Sequence, residues 1–259
     1  SHFTGAPPTL LGTLGSGGSP STLVELDPNS GSVIRTIGEV GYSVNGLSYD
    51  PVSGNLYGTV SSTDPVFPNC LIQIDLATGA GMPIGSGAGV GTLTNLTSDA
   101  SGKLFAWSQT HQELVSIDPI TGLGTLVGSA GRSFSRHGMS FDAANNLYLV
   151  DSGGEFYRVD PLTGAVTYQF DLDQTAHHGD FDPVTGYYYG VGNTDPATPM
   201  VVIDVASQKV LASYETGEPL HTLTFTQGSG ELIPAQDWYS FSLSSGDLAS
   251  LVLTGLNAD

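Results

Sequence analysis

Leu114-Val115-Ser116-Ile117-Asp118-Pro119-Ile120-Thr121-Gly122 alternates apolar and polar residues and then turns on Asp-Pro-x-Thr-Gly. Alternation at period two makes a half-buried strand. The aspartate ends that strand and offers its carboxylate to backbone N–H groups two residues on. Proline presets φ, and glycine takes the left-handed conformation. The stretch is therefore one arm and the turn of a hairpin. It recurs as Leu23 to Gly31, Leu71 to Gly79 and Phe156 to Gly164, with a decayed copy from Met200 to Gln208. The aspartates Asp27, Asp75, Asp118, Asp160 and Asp204 follow one another at intervals of 48, 43, 42 and 44 residues. A second short strand leaves each turn, as in Ser32 to Gly38.

Between these copies lies a second hairpin motif, clearest as Asn45-Gly46-Leu47-Ser48-Tyr49-Asp50-Pro51-Val52-Ser53-Gly54-Asn55-Leu56-Tyr57. Its relatives are Thr94 to Phe105, His137 to Tyr148, His177 to Tyr188 and His221 to Leu232. Each period thus holds two hairpins, the four strands that a propeller blade needs. Leu10-Leu11-Gly12-Thr13-Leu14 matches the second strand of the motif, Leu56 to Val60, so its blade lacks a first strand. His221 to Phe225 is the spare one. The expectation is an all-β, five-bladed propeller of four-stranded blades, closed by strands from both chain ends. Six blades, with Trp238 to Leu253 inside the ring, is the alternative. The propeller is expected over 1–235. A C-terminal hairpin over 236–259 is either extra propeller strands or the start of a β-sandwich.

Acidic residues number 25 against six basic ones, a net charge of −19. The cations Arg35, Lys103, Arg132, Arg136, Arg158 and Lys209 are scattered, so no basic stripe exists to neutralise phosphates, which excludes nucleic acid as a partner. Anionic membrane surfaces are disfavoured for the same reason, and no run of 18 apolar residues spans a bilayer. The single cysteine, Cys70, permits no internal disulfide and reads as buried and inert. Few lysines and turns rich in Ser, Thr, Gly and Asp point to a secreted or cell-surface protein.

Copies such as Leu114 to Gly122 resemble the degenerate propeller repeats of secreted bacterial proteins, the loose quinoprotein-like and NHL/YVTN-like group, over residues 10 to 235. The resemblance implies the fold and leaves the activity open, because such repeats serve binding, scaffolding and several lyase or lactonase chemistries. Asp237 to Asp247 resembles the opening of a bacterial pre-peptidase C-terminal domain, an extracellular β-sandwich.

Candidate chemistry lies on the first strand of each blade, which lines the channel. Five positions before the turn residue stand Asn45, Thr94, His137, His177 and His221, and His178 adjoins His177. Two positions before it stand Ser48, Thr97, Ser140, Asp180 and Thr224. Equal register on successive blades brings equal height in the channel. His137, His177 or His178, and His221 are thus expected to converge at one mouth, with Asp180 nearby and Asn45 and Thr94 completing the ring. Neighbours on a strand face opposite ways, so one of His177 and His178 is expected to face the channel unless a bulge intervenes. Imidazoles with a carboxylate suit zinc or a similar divalent metal, or acid–base work. A histidine bonded to a neighbouring blade's backbone is the structural counterpart. Trp107, Trp238 and Tyr187 to Tyr189 offer faces for a sugar, although strand aromatics more often form core. Two functions follow. One is a non-catalytic scaffold or binding module for a small molecule, glycan or protein. The other is a metal-dependent lyase or hydrolase at the channel mouth.

Overall fold

The computed structural model describes residues 2–3, 6–15, 18–192, 199–228 and 232–233. Among them lie five four-stranded antiparallel sheets, arranged as a five-bladed β-propeller. The first blade runs outward from Leu220–Phe225 through Leu10–Leu14 and Thr22–Leu26 to Val33–Glu39. The other four follow in chain order, their inner strands being Val44–Tyr49, Leu93–Ser98, His137–Phe141 and His178–Phe181.

Ring closure joins the two ends of the chain. Leu10 pairs with Phe225, Leu11 with Thr224 and Thr13 with Thr222. The hydroxyls of Thr13 and Thr222 also lie 3.0 Å apart in the buried seam. Leu232–Ile233 pairs with His2–Phe3 as a separate two-stranded ribbon, not as the second strand of a sixth blade. The six-blade alternative is thereby set aside: the ring closes without it. The hairpin expected over 236–259, including Trp238, lies outside the described residues.

Turn chemistry follows the sequence closely. The Asp118 carboxylate accepts the Ile120 N–H at 2.9 Å and the Thr121 hydroxyl at 2.8 Å. Asp27, Asp75, Asp160 and Asp204 repeat the arrangement, and the donated hydrogen bonds hold all five below the ordinary carboxylate range. Gly122 and Gly164 stand at φ +72 and +75, while the decayed copy places Gln208 at φ 57.

Blade packing gives the turn glycines a second duty. A Cβ on Gly164 would run into the backbone of Gly128 on the outer strand of the preceding blade, whose Cα would lie 3.2 Å away. Gly54, at φ +74, has only the Tyr49 hydroxyl within range, at 3.6 Å. Gly54→Ala is therefore expected to cost about 1 kcal/mol for the left-handed backbone. Gly164→Ala should cost about 1–3 kcal/mol more for the collision. Urea midpoints of the two variants check this, and equal losses would show that the glycines serve the backbone alone.

Among the described residues lie five hydrophobic clusters, each between two neighbouring blades. Alternation along each strand makes this possible, because Leu10 enters one cluster and Leu11 the next. Trp107, Tyr188 and Cys70 are fully buried parts of this packing. Burial and the Asp64 carboxylate push the Cys70 thiol up to about 11, which keeps it protonated and inert.

Candidate functional site at the channel mouth

The inner strands all run the same way down the channel. Their beginnings line one mouth and their ends the other. Between the mouths the backbones nearly touch. A Cβ on Gly138 would overlap the His177 carbonyl oxygen, and one on Gly46 would overlap Asn95. The waist, bordered by Gly46, Asn95, Gly138, His178, Gly179 and Thr222, leaves about 10 Å³, the threshold for one water. The channel is therefore pinched between two cavities.

The entry cavity has a volume of about 140 Å³ and is lined by His137, His177, His178 and His221, with Asn45 and Thr94. All five residues that sequence register placed at one height are here, together with His178. Both His177 and His178 reach the cavity, because His177 precedes the regular strand, which begins at His178. Their ring centroids are 4.6 Å apart, and that of His178 is 5.1 Å from His221. His221 is the extra residue of a bulge between Leu220 and Thr222. Its Nδ1 lies 2.9 Å from the Val44 carbonyl oxygen of the next blade. Asn45 sits in a matching bulge, with its amide 3.4 Å from the Leu93 carbonyl. Sequence register did not single out Ser135 and Arg136, which complete the lining. They precede the inner strand, where the motif has no fixed spacing.

Burial disfavours the charged imidazolium throughout this cluster. His137, 2 % exposed against Trp107 and Phe134, is lowered to about 3 by burial, assisted by His177. His177 is lowered to about 4 by burial, then by Arg136 and His221. His178 and His221 shift the same way, burial again being the main cause. Neither ring nitrogen of His137 or of His177 has a hydrogen-bond partner, although all four atoms are buried. Among the described residues no group of three or more His, Cys, Asp or Glu side chains is set to hold a metal ion.

Asp180 is not at this mouth. It lines the exit cavity of about 240 Å³, together with Tyr49, Asp99, Asp142 and Phe225. The reason is strand rise: three residues of strand carry the chain about 10 Å from His177. Its carboxylate accepts the Ser140 hydroxyl at 2.5 Å and the Phe181 N–H at 2.9 Å. The Thr224 hydroxyl and the Phe225 N–H also donate to it, each at 2.9 Å. Thr224 in turn accepts the Tyr49 N–H at 3.2 Å. One carboxylate thus links the fourth and fifth blades to the closing strand, and through Thr224 to the second blade. Burial raises its pKa against the pull of the four donors.

Among the described residues, the aromatic candidates Tyr188 and Trp107 are structural. Tyr188 donates its hydroxyl to the Ala176 carbonyl at 3.0 Å, and Trp107 stacks edge-on against Phe134.

No family model and no curated protein matches the chain. Among solved structures it is similar to a chain in a crystal structure of a nidogen/laminin complex, with a TM-score of 0.58 and 13 % identity over 85 % of this chain and 98 % of that one. It is also similar to a structural genomics protein of unknown function from Bacteroides thetaiotaomicron, with a TM-score of 0.52 and 20 % identity. There it covers 68 % of its own length and 52 %, about half, of the other chain. At these identities the likeness is one of fold. What stands of the repeat resemblance is the architecture itself: the chain is a five-bladed β-propeller.

Proposed function

We propose that this chain is a non-catalytic binding or scaffold propeller of an exported, cell-surface bacterial protein, with its small-molecule, glycan or protein ligand taken up at the histidine-lined mouth. The observation that supports this is the separation of Asp180 from the imidazoles by the waist of the channel. Acid–base chemistry pairs an imidazole with a group that orients it or shares its proton, within hydrogen-bond reach. Here the inner-strand carboxylate is committed to four donors in the other cavity. The acidic surface and lysine-poor composition support export, as does the repeat resemblance to secreted bacterial propellers. The crystallised nidogen/laminin complex is a case of a similar fold found with a protein partner, which agrees with a scaffold role.

Purified protein, with and without added zinc, should turn over chromogenic esters, lactones and phosphoesters no faster than its His137→Gln and His177→Gln variants. A rate that disappears on either substitution would overturn the reading in favour of a hydrolase or lyase. Recovery of the protein only from the cytoplasm of the producing bacterium would overturn the export part.

A further inference from the structure

We propose that the histidine-lined mouth is a receptor for a small hydroxycarboxylate. This rests on the reading of the chain as a binding module and names the ligand class of that site.

Charge comes first. The chain carries 25 acidic residues, yet among the described residues no carboxylate lines this cavity. Arg136 does line it, and it forms no ion pair with any described carboxylate. Its charge reaches the cluster, since it disfavours protonation of His177. A cation entering the mouth would meet an unpaired guanidinium, whereas a carboxylate would find a planar two-pronged donor.

Hydrogen-bonding capacity supplies the second half. The Val44 carbonyl can only accept, so the His221 Nδ1 at 2.9 Å carries the hydrogen. In the neutral ring, Nε2 is then a bare lone pair with no described partner. His137 and His177 each bring one donor and one acceptor nitrogen, all buried and unpartnered. Buried polar atoms without partners are rare and costly, which marks these as groups awaiting a ligand or water. Because burial keeps the rings neutral, their lone pairs persist at neutral pH. A carboxylate alone would satisfy Arg136 and leave these acceptors idle. A hydroxyl beside the carboxylate donates to one of them, the Nε2 lone pair of His221.

Size sets the limit. A cavity of about 140 Å³ is smaller than the usual pocket for a drug-sized ligand. It has room for on the order of five water-sized groups. That is the scale of glycolate or lactate.

The test is an NMR titration of the folded protein, reading the imidazole C–H resonances with His111 as the internal reference. Sodium lactate should shift the four cavity histidines saturably, with a Kd on the order of 1 mM or tighter. Sodium acetate, lacking the hydroxyl, should bind at least about tenfold more weakly. Arg136→Gln, at an exposed side chain, should weaken both ligands at least about tenfold. His221→Asn keeps a donor toward Val44 and removes the Nε2 acceptor, so lactate should fall to the level of acetate. Equal binding of lactate and acetate to the unaltered protein would overturn the proposal, as would no saturable shift with either. Stoichiometric zinc chloride binding that Arg136→Gln tightens would overturn it in favour of a metal. These failures leave the binding-module reading in place. Consumption of lactate in the NMR tube would sink that reading and leave the ligand class standing.

Discussion

Replacing Asp180 by alanine is expected to destabilise the propeller by about 1–3 kcal/mol, the cost typical of leaving hydrogen-bond donors without their acceptor. The hydroxyls of Ser140 and Thr224 can rotate toward other acceptors, but the Phe225 N–H is fixed in the closing strand and would be left without the 2.9 Å partner it has now. The loss is therefore concentrated where the chain ends meet. Asp180→Asn keeps the shape, yet it turns an NH₂ group toward donors on one side, so it should recover only part of the stability. Urea unfolding measures the loss, and hydrogen exchange at Phe225 locates it. A loss under about 1 kcal/mol for the alanine variant would mean that the seam is held by its strand pairing and threonine contacts alone.

Acid should unfold this protein unusually early. An unfolded chain protonates histidine at about 6.5, whereas the folded state holds His137 down to about 3 and His177 to about 4. Between those limits the unfolded state binds the extra protons, so stability falls as pH falls. Each such group costs about 1.4 kcal/mol per pH unit once the pH is well below 6.5. His178 and His221 act in the same direction. Asp180 acts the other way: its raised pKa lets the folded state accept a proton more readily as the pH drops, one group against four. The turn aspartates, held low, lose their contribution only below the ordinary carboxylate range. Between pH 6.5 and 4.5 the net loss should be on the order of 5 kcal/mol, comparable with the whole stability of a typical domain. The urea midpoint should fall steeply through this window in buffers free of carboxylates, and less steeply in His137→Gln and His177→Gln. A midpoint unchanged from pH 7 to 5 would show that the imidazoles find partners and take protons within the fold.

Much of this architecture was legible because the turn motif is chemical. Asp, Pro, Ser or Thr, and Gly each have a physical task in a tight turn, and counting back from the turn fixes register on every inner strand. Hence Asn45, Thr94, His137, His177 and His221 were placed at one height from spacing alone. Asp180 was misplaced because register was read as proximity. Three residues separate it from His177, and in an extended strand that distance crosses the waist. Parity failed at His177 and His178 for a related reason, since strict alternation holds only inside the ladder and His177 lies before it. Arg136 was passed over as a scattered surface cation, because no periodic pattern reaches the segment leading into the strand. The occupant of the mouth was not legible at all. It depends on which imidazole nitrogen carries a hydrogen, and a backbone carbonyl some 177 residues away decides that for His221.

Closure by Leu220–Phe225 also imposes an order in time. Leu10–Leu14 is synthesised well before its inner partner, which does not exist until Phe225 has been made. At ordinary translation rates of about 5–20 residues per second, that edge waits on the order of 10–40 s. Until then it presents an unpaired strand of the kind that recruits other chains. That pairing also closes a loop of about 209 residues, which places a large entropy cost late in folding and makes the nascent ring slow to commit. A chain that crosses a membrane unfolded and folds on the far side would meet both ends together, and so would escape the delay.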